Sequence, residues 1–376
     1  MTIAINCWVL RNKKPDGIGY FTIYAMVNLI QNHPDVHFQI LCDKNFTEDY
    51  FDFKNVSKHP VFPALRHPLL YMWYMEIVVG SFLKKNKPDV FISADGFLNL
   101  SSQCRQIPIF HDINFEHNPK DLKLKNRLYY RFFFRKFAQK AIRIATISEY
   151  SKKDIAAFYK IAPDKIDNIS GGIRSNFFPL EPSEIDETRK KWSNGKPYFF
   201  FVGSMHPRKN IKRLIEAFTL FKQNTGSDLK LLLAGSLLWS TTGIKDSYIK
   251  SAYKDDIIFT GRLTDTELQK VLGAAYALSF VPIFEGFGLP IVEAMQSGVP
   301  VICSNVTSMP EVAGEAALIV DPYNIESIAG GMEKLYKNNN LRNRLIELGH
   351  IRKKQFSWDK TAKLLWECIM KAVGNN

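Results

Sequence analysis

Two doubly wound α/β domains are the fold class the sequence predicts, on three observations. The 376 residues are roughly two to three times a usual domain of about 100–200 residues, and 46% apolar residues can fill more than one core. Short apolar runs of strand length alternate with longer amphipathic stretches in both halves. Around "EPSEIDETRKKWSNGKP" (181–197) the composition turns polar and charged, and the strand rhythm then restarts. Residues 1–180, with a C-terminal helix over 357–376 packing back on them, are therefore expected to form the first domain, and 181–356 the second.

Taken in order, the first half offers strands at 3–8 (IAINCW), 36–42 (VHFQILC), 89–93 (DVFIS), 107–110 (IPIF) and 142–147 (IRIATI). Helices are expected near 20–31, 68–83, 121–140 and 149–159. The apolar stretch 68–85 is interrupted by Glu76 and is shorter than the ~20 residues that span a bilayer, so it reads as a helix of the fold. In the second half, "PYFFFVG" (197–203), "LKLLLAG" (229–235), "DIIFTG" (256–261), "ALSFV" (277–281), "VPVICS" (299–304) and "AALIV" (316–320) read as buried strands, each near a helical segment. Strands separated by helices imply right-handed crossovers and parallel sheets. Ligands of such sheets lie outside the carboxyl ends of the strands, here in a cleft between the two lobes. The helix after 210 shows an apolar stripe of Ile211, Leu214, Ile215 and Phe218, with Asn210 as its expected N-cap.

The start, "MTIAINCWVL", lacks the charged and long apolar regions of a secretory signal, and the five cysteines (7, 42, 104, 303, 368) are scattered without a CxxC pair. A cytoplasmic protein with neither a disulfide framework nor a zinc site is expected. The net charge of +13 favours an anionic partner. It concentrates over 120–143, where Lys120, Lys123, Lys125, Arg127, Arg131, Arg135, Lys136, Lys140 and Arg143 stand against Asp121 alone. Arg127, Arg131 and Arg135 recur every four residues and form one stripe, with Leu124, Leu128, Tyr130, Phe134 and Phe137 largely elsewhere on the wheel. Such a helix either solvates one face over a core or docks on an anionic membrane surface. Nucleic acid is disfavoured, because no nucleic-acid-binding motif accompanies the charge.

Three strand-to-helix loops carry the chemistry. In "VGSMHPRKNIKRLIEAF" (202–218), Arg208 and Lys209 precede a helix N-terminus just after Gly203, a place suited to a diphosphate. In "FEGFGLPIVEAMQSGVPV" (284–301), Glu285 and Glu293 flank the turn Gly286-Phe287-Gly288-Leu289-Pro290, with Pro290 near the first helical position. The glycines allow close backbone approach, and the carboxylates can hold hydroxyl groups of two different sugars. Taken singly, a basic pair in a loop and a glutamate in a first helical turn are common surface features. In "KKPDGIGYFTIYAMVNLI" (13–30), Gly17 and Gly19 stand just ahead of a helix, and His111 in "IFHDINF" ends a strand. No Asp-x-Asp pair is present to hold a metal on a diphosphate, and His111 and His117 have no third ligand at metal spacing, so a metal-independent reaction is expected.

The combination "GSMHPRKN", "FTGRL", "FEGFGLPIVEAMQSGVPVI" and "SMPEV" resembles glycosyltransferase family 4, retaining nucleotide-sugar enzymes of the GT-B fold. The resemblance is strongest over 198–335, and "FHDINF" with "ATISEYSKKDI" extends it through the first half. It implies that Arg208 and Lys209 neutralise the donor diphosphate, Glu285 contacts the transferred hexose and Glu293 the ribose. It further implies that the main chain at Arg262 and Leu263 meets the nucleobase, and that the amides of Gly288, Leu289 and Ile291 approach the phosphates. Gly17 and Gly19 would close over the phosphates, and His111 would touch the donor sugar near the reacting carbon. The "SGGI" of 170–173 departs from the Asn-Gly pair frequent in the family. The function implied is retaining hexosyl transfer, without a cofactor and with GDP-mannose favoured as donor. The acceptor would be a glycan or lipid-linked glycan in cell-surface polysaccharide synthesis, reached from the inner membrane face. A sugar-nucleotide epimerase or phosphorylase of the same fold, or a non-catalytic two-lobed binding protein, are the alternatives.

Overall fold

The computed structural model describes residues 1–11, 15–43, 49–61, 68–122, 124–236 and 243–374, with the side chains of Arg11 and of 68–70 excepted. Lys13, Lys14 and Lys123, named above, lie outside the described residues. The chain divides into two compact units, Met1–Gly172 with Ser357–Asn376, and Ile173–Phe356.

Unit 1 is built on a parallel sheet of β1 (Thr2–Asn6), β2 (His37–Asp43), β3 (Val56–Val61), β4 (Val90–Ser93), β5 (Gln106–Phe110), β6 (Ile144–Thr146) and β7 (Ile166–Asn168), in the order β3-β2-β1-β4-β5-β6-β7. The five apolar runs read from the sequence are its interior strands, and β3 and β7 were not anticipated. Both lie at sheet edges. An edge strand has one ladder to satisfy and tolerates the polar "VSKHPV" of β3, proline included, so no apolar run announces it.

The stretch 68–83 is helical but broken into Pro68–Trp73, a π-helical turn Tyr74–Val79 and Gly80–Asn86. The cause is local. Asn99 donates its side-chain amide to the carbonyls of Met75 (2.6 Å) and Glu76 (3.2 Å), and the Glu76 carboxylate accepts from the Leu100 amide at 2.7 Å. A side chain inserted into the helical ladder widens that turn. Among the described residues, no helix is long and apolar enough to cross a membrane.

The C-terminal helix, Trp358–Val373, belongs to unit 1. Its Trp358 stacks on Tyr24 (5.5 Å, 15°) and meets Phe21 edge-on, Asp359 accepts from Asn32, and Lys371 pairs with Asp167 at 2.9 Å. The basic stretch forms the helix Leu124–Lys140, which buries Tyr129, Phe134, Phe137 and Ala138 in the core. Leu124 and Leu128, expected on its apolar side, are instead exposed (59% and 62%), as is Phe132 (56%). Spaced four apart, these three form an apolar ridge on the outer face, between Lys125, Arg131 and Arg135, all exposed. Arg131 of the cationic stripe pairs with the buried Glu116 at 2.9 Å.

Unit 2 has β8 (Tyr198–Val202), β9 (Lys230–Ala234), β10 (Ile257–Gly261), β11 (Ala277–Phe280), β12 (Val301–Ser304) and β13 (Ala317–Val320), all parallel, in the order β10-β9-β8-β11-β12-β13. Its connection order reverses between β8 and β11, so the carboxyl ends of those two strands flank the switch point where open sheets of this kind bind ligands.

The unit boundary falls at Gly172/Ile173, eight residues ahead of the 180/181 position expected. The residues that follow are held by unit 2: Arg174 pairs with Glu293, Phe177 is fully buried, and Leu180 lies against Gly273. The polar stretch 181–197, whose composition set the expected boundary, forms the helix Pro182–Ser193, started by a capping box of Glu181 and Glu184. Its polarity reflects a solvated helix face.

Candidate active site

In unit 2 the loops after β8 and β11 meet. The β8 loop makes a single 3-10 turn, Pro207–Lys209, started by His206, whose Nδ1 accepts from the Arg208 amide. That turn is bolted to the β11 loop by the Ile283 amide donating to Arg208 O (2.8 Å) and by Arg208 Nη1 donating to Phe284 O (3.1 Å). The guanidinium of Arg208 and the ammonium of Lys209 both reach Oε1 of Glu285. Lys209 and Glu285 are each only 8% exposed, and the Lys209 ammonium lies 5.1 Å from the Phe280 ring. Burial opposes ionisation of Glu285, but Lys209 and Arg208 outweigh it and hold the carboxyl below its usual range. Two cations on one carboxylate leave the trio with a net positive charge, in a place where charge is poorly screened.

Asn210, expected as an N-cap, occupies that position before the helix Ile211–Thr225 with φ 63° but does not cap it. Its amide is drawn to the carbonyls of Val281 (3.0 Å) and Pro322 (2.7 Å), which tie the β8, β11 and β13 loops together. A buried amide satisfies stronger tertiary partners before a local one.

After Glu285 the chain turns at Gly288 (φ 96°) into the helix Leu289–Gln296. A Cβ at Gly288 would stand 2.8 Å from the Met309 methyl as well as in a strained backbone region, so glycine is required twice over. Pro290 is the second helical residue, as expected. Ile291 is a correction: its amide is already donated to Gly288 O at 2.9 Å, because the first turn closes tightly, which leaves the amides of Gly288 and Leu289 as the candidates for an anion. The turn is braced by Thr307 and Ser308, whose hydroxyls bond the Glu285 amide and carbonyl. The quoted motif "SMPEV" carried that signal, but its partner could not be read from sequence.

Glu293, 4% exposed, forms a second ionic group. Arg174 donates from Nε to Glu293 Oε1 (2.8 Å) and from Nη1 to Asp265 Oδ1 (3.1 Å). Burial raises the Glu293 carboxyl above its usual range, and Arg174 only partly offsets that. Asp265 opens the helix that follows Arg262 and Leu263, so the expected nucleobase loop and Glu293 come together through Arg174. Arg174 was missed. Nothing around an isolated arginine in "SGGIRSN" marks it. Gly203 follows β8 with its amide on Ala234 O (3.0 Å), and Gly235, after β9, lies so close that a Cβ there would fall 1.8 Å from Gly203 O.

In unit 1, Gly17 and Gly19 lie within the first turn of the helix Gly17–Asn32 and not ahead of it, because Asp16 caps that helix by accepting from the Gly19 amide at 3.0 Å. His111 follows β5, with Nε2 donating to Ala94 O (3.0 Å) and its ring edge-on to Phe21 of that same helix (4.9 Å, 88°). Burial lowers the pKa of His111, so the ring is neutral near pH 7, with Nδ1 left as an acceptor. Unit 1 thus brings His111 beside the glycine helix.

The family model described as glycosyl transferases group 1 matches residues 183–352, and that described as glycosyltransferase family 4 matches 16–177. The O-antigen chain mannosyltransferase B of Escherichia coli is 31% identical over 260 residues, 68% of this chain and 67% of that one. The serotype-specific mannosyltransferase WbdA of Escherichia coli is 30% identical over 63% of this chain, which spans 30% of that longer protein. Among solved structures, sucrose-phosphate synthase from Thermosynechococcus elongatus superposes with a TM-score of 0.80 at 15% identity, covering 100% of both chains. Alr3699/HepE of Anabaena in complex with UDP-glucose superposes with a TM-score of 0.76 at 14% identity, covering 99% of this chain and 100% of that one.

Proposed function

The chain belongs to glycosyltransferase family 4, with the GT-B fold, and from that premise we propose that it transfers mannose from GDP-mannose, with retention of configuration, to a glycan or lipid-linked glycan in cell-surface polysaccharide synthesis. One observation carries the reading: Arg208 and Lys209 converge on Glu285 at the switch point of unit 2, beside a glycine turn. The positively charged trio stabilises the nucleoside diphosphate as its bond to the sugar breaks, which is the charge a metal would otherwise balance. Glu285 Oε2 accepts from a hexose hydroxyl, Glu293 from the ribose, and the Gly288 and Leu289 amides bond phosphate oxygens. The named activities of the E. coli relatives support mannose and a polysaccharide acceptor.

Thermal-shift measurements with GDP, UDP, ADP and dTDP test the site, since a ligand selective for the folded state raises its stability by about 2.7 kcal/mol at a hundred times Kd. GDP is expected to stabilise most. Stabilisation by none of the four ends the reading, and stabilisation by UDP alone moves the donor. Transfer from GDP-mannose should persist in excess EDTA and give a product of unchanged anomeric configuration by NMR. Loss of turnover in EDTA, restored by a divalent cation, would contradict the metal-free chemistry.

The helix Leu124–Lys140 is assigned to an anionic membrane face, on its exposed Leu124-Leu128-Phe132 ridge and flanking cations. Arg127→Glu with Arg135→Glu avoids the Arg131–Glu116 pair. Each cation near such a surface is worth about 1 kcal/mol, so this variant should sediment at least roughly tenfold less well with phosphatidylglycerol vesicles. Unchanged sedimentation returns the helix to a solvated face.

A further inference from the structure

Glu293 is almost wholly buried, five residues into a helix of eight, and a side chain so placed has few rotamers of its own to choose from. What fixes its carboxylate is Arg174, itself 5% exposed. The guanidinium is held on three sides: Nε on Glu293 at 2.8 Å, Nη1 on Asp265 at 3.1 Å, and its carbon 4.6 Å from the Phe177 ring centre. A planar fork gripped in this way spans two carboxylates at a set separation, which a lysine cannot do. The two carboxylates come from different helices. Glu293 lies in the helix after β11, and Asp265 opens the helix after β10, two residues beyond Leu263.

We propose that Arg174 is the positioning residue for nucleoside recognition: it holds the Glu293 carboxylate at the ribose and locks it in register with the 262–265 loop that meets the base. The inference rests on the nucleotide reading of unit 2 given above. Arg174 itself touches neither ribose nor base. Without it, Glu293 remains buried with no cation beside it, takes up a proton, and loses its capacity to accept from two ribose hydroxyls at once. Arg174 thereby determines discrimination for the ribose, while the phosphates remain with Arg208 and Lys209.

The test compares binding of GDP and of 2′,3′-dideoxy-GDP by calorimetry to the wild-type chain, Arg174→Gln and Arg174→Lys. In the wild type, loss of the two hydroxyls should weaken binding by about 10- to 100-fold, the range of a charge-assisted hydrogen bond. In Arg174→Gln that gap should shrink to within roughly threefold, with binding of the dideoxy compound nearly unchanged, and Arg174→Lys should restore part of the gap. With GDP-mannose, KM should rise by about tenfold or more in Arg174→Gln while kcat stays within roughly threefold. A general loosening of unit 2 would weaken both ligands equally, and equal weakening overturns the proposal, as does a full gap in Arg174→Gln. Should Arg174→Gln not fold, Arg174→Lys carries the comparison, with a gap narrower than in the wild type expected and an undiminished gap overturning the proposal. Failure of GDP and the other nucleoside diphosphates to bind the wild type overturns the nucleotide reading itself, and this one with it.

Discussion

Lys209→Ala is expected to lower kcat for hexosyl transfer by about 10²- to 10³-fold, the range found when one preorganised donor to a developing negative charge is removed. Arg208, Lys209 and Glu285 together carry one positive charge in a site where Lys209 and Glu285 are almost wholly removed from water. Without the ammonium the remaining pair is neutral, and the leaving diphosphate meets no net cation from it. Because Arg208 still pairs with Glu285, the carboxylate is not orphaned and the unit should stay folded. Lys209→Met, which keeps an apolar stem of similar length without the charge, separates charge from packing: it should be as impaired as the alanine variant. A folded Lys209→Ala protein with near-normal turnover would remove Lys209 from the chemistry.

Glu285→Ala should act in the opposite sense on the two halves of the donor. Removing one partner of a buried ionic group costs about 3–5 kcal/mol, here by leaving Arg208 and Lys209 without their carboxylate. A free nucleoside diphosphate supplies an anion to the same cations. Its affinity should therefore hold or rise, and it should raise Tm more than in the wild type, while transfer from the sugar nucleotide falls by at least about 10². Glu285→Gln keeps the shape and should share the kinetic defect. It also allows a check by pH. The folded carboxyl titrates below its usual value of 4.5, so the stability Glu285 contributes is present above that value and lost as pH falls through the lower, folded one. The acid side of the stability profile should flatten in Glu285→Gln. Equal loss of nucleotide binding and of transfer would show that Glu285 does not address the sugar.

Where strands are covered on both faces, the sequence announces them. Phe199, Phe200 and Phe201 of β8 and Leu231, Leu232 and Leu233 of β9 are fully buried, and such runs cannot be mistaken for loops. The edges β3 and β7 escaped because one ladder and one solvated side ask little of composition. The helix Pro182–Ser193 is not among the expected elements for the converse reason, since a helix with little to bury is written in the residues of a linker. Leu124 and Leu128 show how a helical wheel fails. Apolar residues beside a cationic stripe look core-facing until the position of the core is known, and here the core lies on the Tyr129, Phe134 and Phe137 side.

Alternation of apolar runs, glycine turns at strand ends and paired basic and acidic residues by themselves determined the α/β class, the strand-to-helix loops that matter and the kind of ligand they suit. These are local properties, because burial period and backbone permissiveness are felt within a few residues. Only the tertiary structure decided which carboxylate meets which cation. Glu285 finds Arg208 from 77 positions away, and Glu293 finds Arg174 from 119. Charges act through space at a few ångströms, and it is the β10-β9-β8-β11-β12-β13 order that brings the β8 and β11 loops to one end of the sheet.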